Sequence, residues 1–392
     1  MSYDEPLKLV VAGLGRRIAT VIRHLHAATP VEIAGYCDPD PIGLAAVREA
    51  GILVGPAHAS VPALLDSVPA DLLMVGSPNH LHLEHIGHGL AAGIRVFTEK
   101  PVVRTESETF ELARLLRAHG EDQVLVGLVL RSAPLVQAVV AYLDSGRLGT
   151  MISFEANEHL HPEHGAFLSR DWRRHGAHGG SYLLDKCCHD FDLYRRFTSA
   201  LPRRVTSFGG RRIFTPDQKH LQSQRYRGGE PAYSLWPAGW AAQPETFGSD
   251  GDAMDHQVAL IEYMNGVQLA FHSNTHSGIL QRRWLFCGTE GALEADLVSN
   301  RLTFRHALGL TKSEVREFDG QVSNHYGSDP QMGRDLAAHL RDGAPFRSNV
   351  YDAMVAGLTV MAIDRAMASG TVVDCTGLWT ELHQALGRAS SD

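Results

Sequence analysis

One stretch near the start of the chain restricts its fold more than any other feature. An apolar run at 9–12 leads directly into a glycine turn at 13–15. Apolar residues then recur at i, i+3, i+4 and i+7 through residues 18–25, which is the spacing of one helix face. A second apolar run, 31–37, ends in Asp38. The order of strand, glycine turn, helix, strand and acid is typical of a dinucleotide-binding unit.

The glycine turn suits the binding of a dinucleotide. Gly13 and Gly15 would let the backbone approach a pyrophosphate, and the free N–H groups of the following helix favour its negative charge. Asp38 would accept the ribose hydroxyls of NAD and repel the 2′-phosphate of NADP. Ile18 stands where a third glycine is usual, so we expect the first helix to lie slightly further from the sheet. The pattern therefore predicts a Rossmann unit that binds NAD rather than NADP.

Short apolar strands continue to alternate with helices up to about residue 130. Strands are expected at 72–76, 95–98 and 123–130, and helices at about 41–50 and 106–118. This alternation indicates a parallel, doubly wound sheet, in which ligands bind at the carboxyl ends of the strands. The polar residues that follow the strands should therefore line one crevice.

Lys100 follows one of these strands directly and should lie at the mouth of the crevice. A lysine is usually a solvated surface residue, but here it would lie close to a bound nicotinamide. The position favours a role in proton transfer or in orienting a substrate alcohol. Because Pro101 comes next, a cis Lys100–Pro101 peptide bond is an expected alternative to the trans form.

The segment 180–198 concentrates ionisable residues on one face of a predicted helix. Asp185, His189 and Asp192 follow at i, i+4 and i+7 and therefore share a face. Two adjacent cysteines in this helix would diverge, which disfavours a metal site and a redox pair of thiols. We interpret the cluster as acid–base: Asp185 orients His189, His189 moves a proton, and Asp192 binds a hydroxyl. A capped structural helix whose polar groups satisfy one another is the alternative.

These motifs resemble those of the Gfo/Idh/MocA oxidoreductases, the relatives of glucose–fructose oxidoreductase and inositol dehydrogenase. The similarity includes the glycine turn, Asp38 and the Glu-Lys-Pro stretch at 99–101. It continues through GG-x4-D-x3-H-x2-D at 179–192 and resumes at 255–257, so it covers nearly the whole chain. A departure is the Lys-Cys-Cys stretch at 186–188, which bears on substrate identity more than on chemistry.

The residue patterns and the resemblance together point to a set of site residues. The catalytic residues would be Lys100, Asp185 and His189. The cofactor would contact Gly13, Gly15, Arg16, Arg17, Ile18, Asp38, Ser77, Pro78, Asn79, His82, Glu99 and Lys100. The substrate would contact Lys100, Arg131, Trp172, Asp185, Lys186, His189 and Asp192. Three of these have a plainer alternative, since Arg16 and Arg17 could be solvated at the helix start and Lys186 could face solvent.

After about residue 150 strands become frequent. They are expected at 151–158, 204–209, 257–264, 267–273, 282–287, 292–297, 301–306 and 313–318. This indicates an α+β C-terminal domain with a large open, mostly antiparallel sheet, following the α/β Rossmann N-terminal domain. We predict an NAD-binding domain over 1–127 and a substrate-binding and oligomerisation domain over 128–392, with a late helix at about 352–369 that could pack back on the first. The resemblance implies a homodimer or homotetramer formed through the sheet.

Two segments leave alternatives open. Residues 215–252 contain Tyr226, Tyr233, Trp236 and Trp240, which could stack on sugar rings or could pack within a surface arm. The stretch EHLHPEH at 158–164 could bind a divalent metal, but histidine is abundant, with 22 residues in the chain, so a chance cluster is favoured. We predict no metal site.

Composition excludes several classes of partner. The net charge of −8 and the lack of a basic run argue against nucleic acid. No apolar run reaches the roughly 18 residues that a membrane span needs. The start of the chain lacks the pattern of a secretory signal, and its five cysteines are scattered, so a cytoplasmic location with reduced thiols is expected.

The predicted function is an NAD-dependent dehydrogenase that oxidises a secondary alcohol of a cyclitol, a sugar or a glycoside. Two alternatives belong to the same fold. One is a redox-neutral NAD-dependent glycosidase, which would oxidise a sugar transiently and retain its cofactor. The other is a non-catalytic NAD-binding sugar sensor, against which an intact set of Lys100, Asp185 and His189 argues.

Overall fold

The computed structural model describes residues 5–236, 239–248, 250–320 and 325–388. The chain packs into two compact units. The first unit contains residues 1–134, 320–357 and 380–392, and the second contains 135–319 and 358–379. The units are discontinuous in sequence, and the predicted domain boundary between residues 127 and 128 stays a prediction.

The elements have the following bounds. The strands are β1 (Leu7–Ala12), β2 (Val31–Cys37), β3 (Leu72–Val75), β4 (Val96–Thr98), β5 (Val124–Val126), β6 (Met151–His159), β7 (Pro202–Gly210), β8 (His256–Tyr263), β9 (Gln268–Asn274), β10 (Arg283–Gly288), β11 (Gly291–Asp296), β12 (Arg301–His306), β13 (Glu314–Glu317) and β14 (Val373–Asp374). The helices are α1 (Arg16–Ala28), α2 (Leu44–Glu49), α3 (Val61–Ser67), α4 (His82–Ala91), α5 (Glu106–His119), α6 (Pro134–Asp144), α7 (Pro162–Arg170), α8 (Gly176–Gly179), α9 (Tyr182–Thr198), α10 (Ser328–Asp342), α11 (Val350–Ser369) and α12 (Thr376–Ala385).

The first unit contains a five-stranded sheet with the order β2-β1-β3-β4-β5. All of its strand pairings are parallel. β1 and β3 are nearly continuous apolar runs because both of their faces are buried. α1 buries the predicted apolar stripe of residues 18–25. The Rossmann fold predicted for this part of the chain is confirmed.

β5 is much shorter than the strand predicted at 123–130. β5 ends before Gly127, and residues 129–132 form a 3-10 turn instead of extending the strand. A Cβ atom at Gly127 would lie 3.2 Å from a carboxylate oxygen of Glu99. The chain therefore leaves the sheet at the point where the buried side chain of Glu99 needs space.

The second unit contains a nine-stranded sheet with the order β13-β12-β11-β10-β6-β9-β8-β7-β14. β6 and β9 pair in parallel, whereas the other pairings are antiparallel. α9 covers one face with aromatic side chains: Phe191 packs against Phe271 with ring centroids 5.1 Å apart, and Phe197 packs against Trp284 at 5.2 Å. The large, mostly antiparallel sheet predicted for this part of the chain is confirmed.

Residues 211–255, which we call the arm, leave this sheet between β7 and β8. The buried side chains of Phe214, Tyr233 and Phe247 give the arm its own small core. Asp255 fixes its base, because one carboxylate oxygen accepts the backbone N–H groups of residues 212–214 at 2.7, 2.6 and 3.2 Å. The described residues of the arm are therefore a folded part of the second unit.

α11 is the longest helix, with 20 residues, and contains the predicted late helix. The division between the two units falls within it, after Gly357. In the parts of the chain that the structure describes, no helix, α11 included, combines the length and apolar character that crossing a bilayer requires.

Candidate active site

The glycine turn after β1 is a point of close approach between strands of the first sheet. Gly13 has a φ of +84°, a conformation that favours glycine. A Cβ atom at this position would lie 2.3 Å from the backbone nitrogen of Ser77, so no side chain fits. The Gly13 N–H donates to the Cys37 carbonyl oxygen at 2.9 Å. The turn therefore presents bare backbone at the carboxyl edge of the sheet, beside the N-terminus of α1, as pyrophosphate binding requires.

A glycine directly after β3 makes room for Ile18, which replaces the third glycine of the usual turn. Ile18 is buried. A Cβ atom added to Gly76 would lie 2.5 Å from the Ile18 Cβ, closer than real side chains approach. In the usual motif a third glycine on the helix lets the helix pack closely on the strand. Here Gly76, on the strand side of the contact, allows the same close packing. The departure from the motif is compensated, and it does not argue against a dinucleotide.

Asp38 follows β2 and faces the glycine turn. Its carboxylate accepts the Asp40 N–H at 2.7 Å and is also bonded by the Leu14 N–H. Burial raises the pKa of Asp38, and the two N–H groups oppose that rise. A carboxylate acceptor therefore lies beside the turn, where the ribose hydroxyls of a dinucleotide would be. The residues present fit NAD, which Gly13, Gly15 and Asp38 would hold.

Arg17 is bound by two carboxylates of the first unit. Its Nε lies 3.1 Å from Glu99 Oε1, and a terminal nitrogen lies 2.6 Å from Asp329 Oδ1. Burial lowers the pKa of Arg17, whereas the two carboxylates raise it, and the net shift is upward. Arg16 is exposed. The ion pairs account for Arg17 without a phosphate, so the cofactor contacts of Arg16 and Arg17 stay predictions.

His82 joins the segment that follows β3 to the segment that follows β4. Its Nδ1 lies 2.8 Å from the Pro101 carbonyl oxygen, and its Nε2 lies 2.9 Å from the Ser77 carbonyl oxygen. Burial lowers the pKa of His82, and the two carbonyls act against this. The Lys100–Pro101 peptide bond is cis, which was the expected alternative. The two strand ends therefore converge within the first unit, as parallel strands predict.

The other predicted residues at this edge are positioned by the sheet. Asn79 and Glu99 are buried, and Pro78 and Lys100 are half-buried. The Glu99 N–H donates to the Val75 carbonyl oxygen at 2.9 Å, which extends the pairing of β4 with β3 up to the residue before Lys100. Lys100 is therefore held at the carboxyl edge of the sheet, next to the predicted cofactor residues.

Arg131 makes an internal ion pair in the first unit. One terminal nitrogen lies 2.9 Å from Asp352 Oδ2, and the other donates to the Arg347 carbonyl oxygen at 2.9 Å. The side chain is largely buried. Since these contacts engage the guanidinium that was predicted to bind substrate, its substrate role stays a prediction.

α9 presents the predicted acid–base residues of the second unit on one buried face. Asp185, His189 and Asp192 are 6%, 7% and 1% exposed. The helix starts one turn before Asp185, because the Ser181 hydroxyl accepts the Leu184 N–H at 3.1 Å and caps it. Buried ionisable groups arranged in this way are typical of acid–base sites, although structural networks also use them.

Arg173 is a residue of this site that the sequence analysis missed. Its Nε lies 3.3 Å from Asp185 Oδ2, and a terminal nitrogen lies 2.5 Å from Asp171 Oδ2. Its guanidinium stacks 4.1 Å from the ring centre of Trp172, which was predicted to bind substrate and is almost buried. Burial lowers the pKa of Arg173, but the two carboxylates raise it by more, so the net shift of the pKa is upward. The available signal was its place directly after Trp172.

An adjoining face of α9 contains a buried ion network. Lys186 Nζ lies 3.2 Å from Glu158 Oε1, and Arg282 joins Glu158 at 2.9 Å to Asp190 at 2.5 Å. The alternative that Lys186 faces solvent is wrong, since its side chain is only 17% exposed. Residues 186 and 190 are one helical turn apart and both point toward Glu158 and Arg282. The substrate contact of Lys186 stays a prediction.

The histidine-rich stretch at 158–164 is divided among different neighbours. The His159 ring packs against His272 with centroids 4.6 Å apart, and Glu163 accepts a hydrogen bond from the Tyr226 hydroxyl. α7 begins at Pro162, within the stretch. Among the residues that the structure describes, no group of three or more His, Cys, Asp or Glu side chains could hold a metal ion.

Two family models match the chain. Residues 7–128 match a model described as an oxidoreductase family with an NAD-binding Rossmann fold. Residues 136–294 match a model described as the GFO/IDH/MocA C-terminal domain. The two matches follow one another along the chain and include most of the predicted site residues.

Individual relatives are distant. Inositol 2-dehydrogenase from Acidothermus cellulolyticus is 26% identical over 219 residues, covering 54% of this chain and 59% of the relative. 2,7-Anhydro-N-acetylneuraminate hydratase from Mediterraneibacter gnavus is 22% identical over 234 residues, covering 58% and 51%. The chain thus spans about half the length of the curated relatives it matches. A levoglucosan dehydrogenase solved with NADH and levoglucosan shares the fold, with a TM-score of 0.73 at 17% identity over 94% of this chain and 99% of that one.

Proposed function

The chain belongs to the Gfo/Idh/MocA oxidoreductase family, and on this premise we propose that it oxidises a secondary alcohol of a cyclitol or a sugar. The observation that carries the proposal is the buried face of α9, on which Asp185, His189 and Asp192 are aligned. The inositol and levoglucosan dehydrogenases among its relatives and structural neighbours act on alcohols of this class. The NAD-binding unit matches that chemistry.

Each candidate residue has a role that its chemistry allows. NAD, when bound, supplies the acceptor for the hydride that leaves the alcohol carbon. His189 takes the hydroxyl proton as general base, and Lys100 hydrogen-bonds the reacting oxygen and stabilises its developing charge. Asp192 binds a neighbouring hydroxyl. Asp185, paired with Arg173, keeps a negative charge near the base.

The cofactor preference follows from Asp38. A carboxylate beside the glycine turn accepts ribose hydroxyls and repels a 2′-phosphate. Changing Asp38 to Ala should therefore improve the use of NADP relative to NAD. This is measured as the ratio of kcat/KM values for the two cofactors.

The test of the function is the absorbance of reduced nicotinamide. Purified protein is mixed with NAD or NADP and a panel of inositols, free hexoses and glycosides. We expect NAD reduction on at least one alcohol, and a decrease in kcat of about 10²–10⁴-fold in Lys100→Ala and His189→Ala. NAD affinity, measured by calorimetry on the same variants, should change far less than kcat.

Other outcomes separate the alternatives. Turnover of Lys100→Ala close to that of the unaltered protein would remove the lysine from the mechanism. No reduction on any alcohol, together with NAD that is released only by denaturation, would replace the dehydrogenase by redox-neutral chemistry. No reduction and no bound cofactor would contradict an oxidoreductase altogether.

We also propose that copies of the chain associate through the outer face of the nine-stranded sheet. Phe208, Leu260 and Val258 lie there on neighbouring strands and are 70%, 59% and 40% exposed. They line a depression of about 480 Å³ on this face. Contiguous exposed apolar side chains on the face of a sheet are typical of an interface. A homodimer or a homotetramer would cover them.

A further inference from the structure

The arm buries three of its six aromatic side chains but leaves two tryptophans exposed. Phe214, Tyr233 and Phe247 are 2%, 3% and 0% exposed. Trp236 and Trp240, in contrast, are 38% and 46% exposed. Since the arm has a core in which three rings are fully packed, two exposed indoles in the same segment require an explanation.

Both tryptophans are held in place by arginines of the segment that precedes α9. Arg170 donates to the carbonyl oxygen of Trp236 at 2.5 Å. Arg174 donates to the carbonyl oxygen of Ala241, the neighbour of Trp240, at 2.7 Å. Both arginines are largely buried. The two indoles are therefore presented from fixed backbone positions, which reduces the entropy lost when a ligand binds.

Each indole has an imidazole beside it. The rings of Trp236 and His164 are 4.8 Å apart between centroids, and those of Trp240 and His178 are 5.6 Å apart. An indole face offers apolar contact and negative charge to the C–H groups on one side of a pyranose ring. An imidazole nitrogen that reaches the surface can exchange a hydrogen bond with a hydroxyl at the ring edge. The combination matches the two kinds of surface that a sugar ring presents.

A chain of contacts connects Trp236 to the acid–base face of α9. Trp236 packs against Phe167 with centroids 6.0 Å apart, and the guanidinium of Arg173 lies 5.3 Å from the centre of the Phe167 ring. The same guanidinium binds Asp185 at 3.3 Å. All of these residues belong to the second unit. A ligand at Trp236 is thus separated from Asp185 by two side chains.

We propose that Trp236 and Trp240, with His164 and His178, form a subsite for a second pyranose ring. The substrate would then be a glycoside or a disaccharide and not a free cyclitol, and this rests on the proposed function. A protein partner fits the surface less well. Leu235 is the one other large apolar side chain exposed in the described part of the arm, so the patch is small for an interface.

The test uses the five tryptophans of the chain as separate reporters. Protein labelled with 5-fluorotryptophan gives one ¹⁹F resonance for each, and the Trp236→Phe and Trp240→Phe variants assign the two that matter. Trp284 and Trp379 are 0% and 3% exposed and serve as internal controls, whereas Trp172 belongs to the predicted substrate site and should respond to any substrate that binds there. Maltose, cellobiose, lactose and their methyl glycosides should move the resonances of Trp236 and Trp240. Myo-inositol at the same concentration should not.

Kinetics give the second readout. In Trp236→Ala, the ratio of kcat/KM for a disaccharide to that for the matching monosaccharide should fall about tenfold, the loss expected for one stacking contact. An equal loss for both substrates would overturn the subsite, because the variant would then act through the fold. A changed molar mass of Trp236→Ala or Trp240→Ala in sedimentation would overturn it as well, since the indoles would then contact another copy.

The two proposals fail in different ways. If the disaccharides shift the ¹⁹F resonances but no alcohol is oxidised, the subsite stands and the dehydrogenase is wrong. If a free polyol is oxidised and no sugar of the panel moves either resonance, the dehydrogenase stands and the subsite is overturned.

Discussion

Two carboxylates, those of Asp171 and Asp185, share the guanidinium of Arg173. Replacing Arg173 with Gln would leave Asp171 and Asp185 as neighbouring buried acids without their shared cation, and burial and the nearby Asp185 already raise the pKa of Asp171. We expect the acid limb of the pH–rate profile to move upward by about one pH unit or more. At neutral pH, kcat should fall about 10- to 100-fold. Arg173→Lys, which keeps the charge, should recover part of the loss.

Arg282 provides the matched control on an adjoining face of α9. It binds Asp190 with two hydrogen bonds of 2.8 and 2.5 Å, fully inside the second unit. Arg282→Gln should lower the free energy of unfolding by about 3 kcal/mol without moving the acid limb. A second test of Arg173 is chemical rescue. In the Arg173→Ala variant, added guanidinium ion should restore activity. An acid limb of Arg173→Gln that coincides with that of the unaltered protein would show that Arg173 does not control the protonation of the acid–base site.

Three elements meet at Asp364, a side chain of α11. Its carboxylate accepts Gln257 Nε2 of β8 at 3.2 Å and the hydroxyl of Ser181, which caps α9. Burial raises its pKa from 3.8 to about 6, and the two hydrogen bonds oppose the rise. Between these two pH values the native state binds a proton that the unfolded chain does not. Stability should therefore fall as pH rises from about 4 to about 6 and stay lower above that.

Asp364→Asn removes the free-energy cost of ionising this buried carboxyl group while keeping the shape of the side chain. At pH 8 the free energy of unfolding should rise by about 1–3 kcal/mol, and near pH 4 it should hardly change. Urea unfolding across this range measures both. Asp190→Asn is the contrast at pH 8, because it leaves Arg282 without one of its carboxylates and should destabilise the protein there. A loss of stability in Asp364→Asn at pH 8 would mean that the charged carboxylate is the favoured native form.

Local periodicity was sufficient to locate most elements, but it could not identify their partners. β2 and β12 have their predicted bounds, and the three residues on one face of α9 lie as their spacing requires. No helix was predicted for α10, although Gly327 and Gly343, both with positive φ, bound it. The partner of Arg17 on that helix, Asp329, is 312 positions away. Such pairings depend on the tertiary fold and leave no trace in local pattern.

At the scale of the whole molecule, the proposed association of copies depends on the outer face of the nine-stranded sheet. Phe208→Asp and Leu260→Asp together would place two carboxylates on this face. Burying them between copies would cost several kcal/mol for each charge. We expect sedimentation to give the mass of a single chain, 42.8 kDa, for the double variant and a multiple of it for the unaltered protein.

The control for this variant is Leu53→Asp, which changes an apolar side chain of the first unit that is 72% exposed. It should keep the mass of the unaltered protein, because a charge there meets solvent and no interface. An unaltered protein that already sediments at 42.8 kDa would contradict the assembly. If the double variant is a folded single chain that still oxidises its alcohol, one chain holds the complete site. If it binds NAD normally but has lost turnover, a neighbouring copy contributes to the substrate pocket, and the arm is then the first segment to examine.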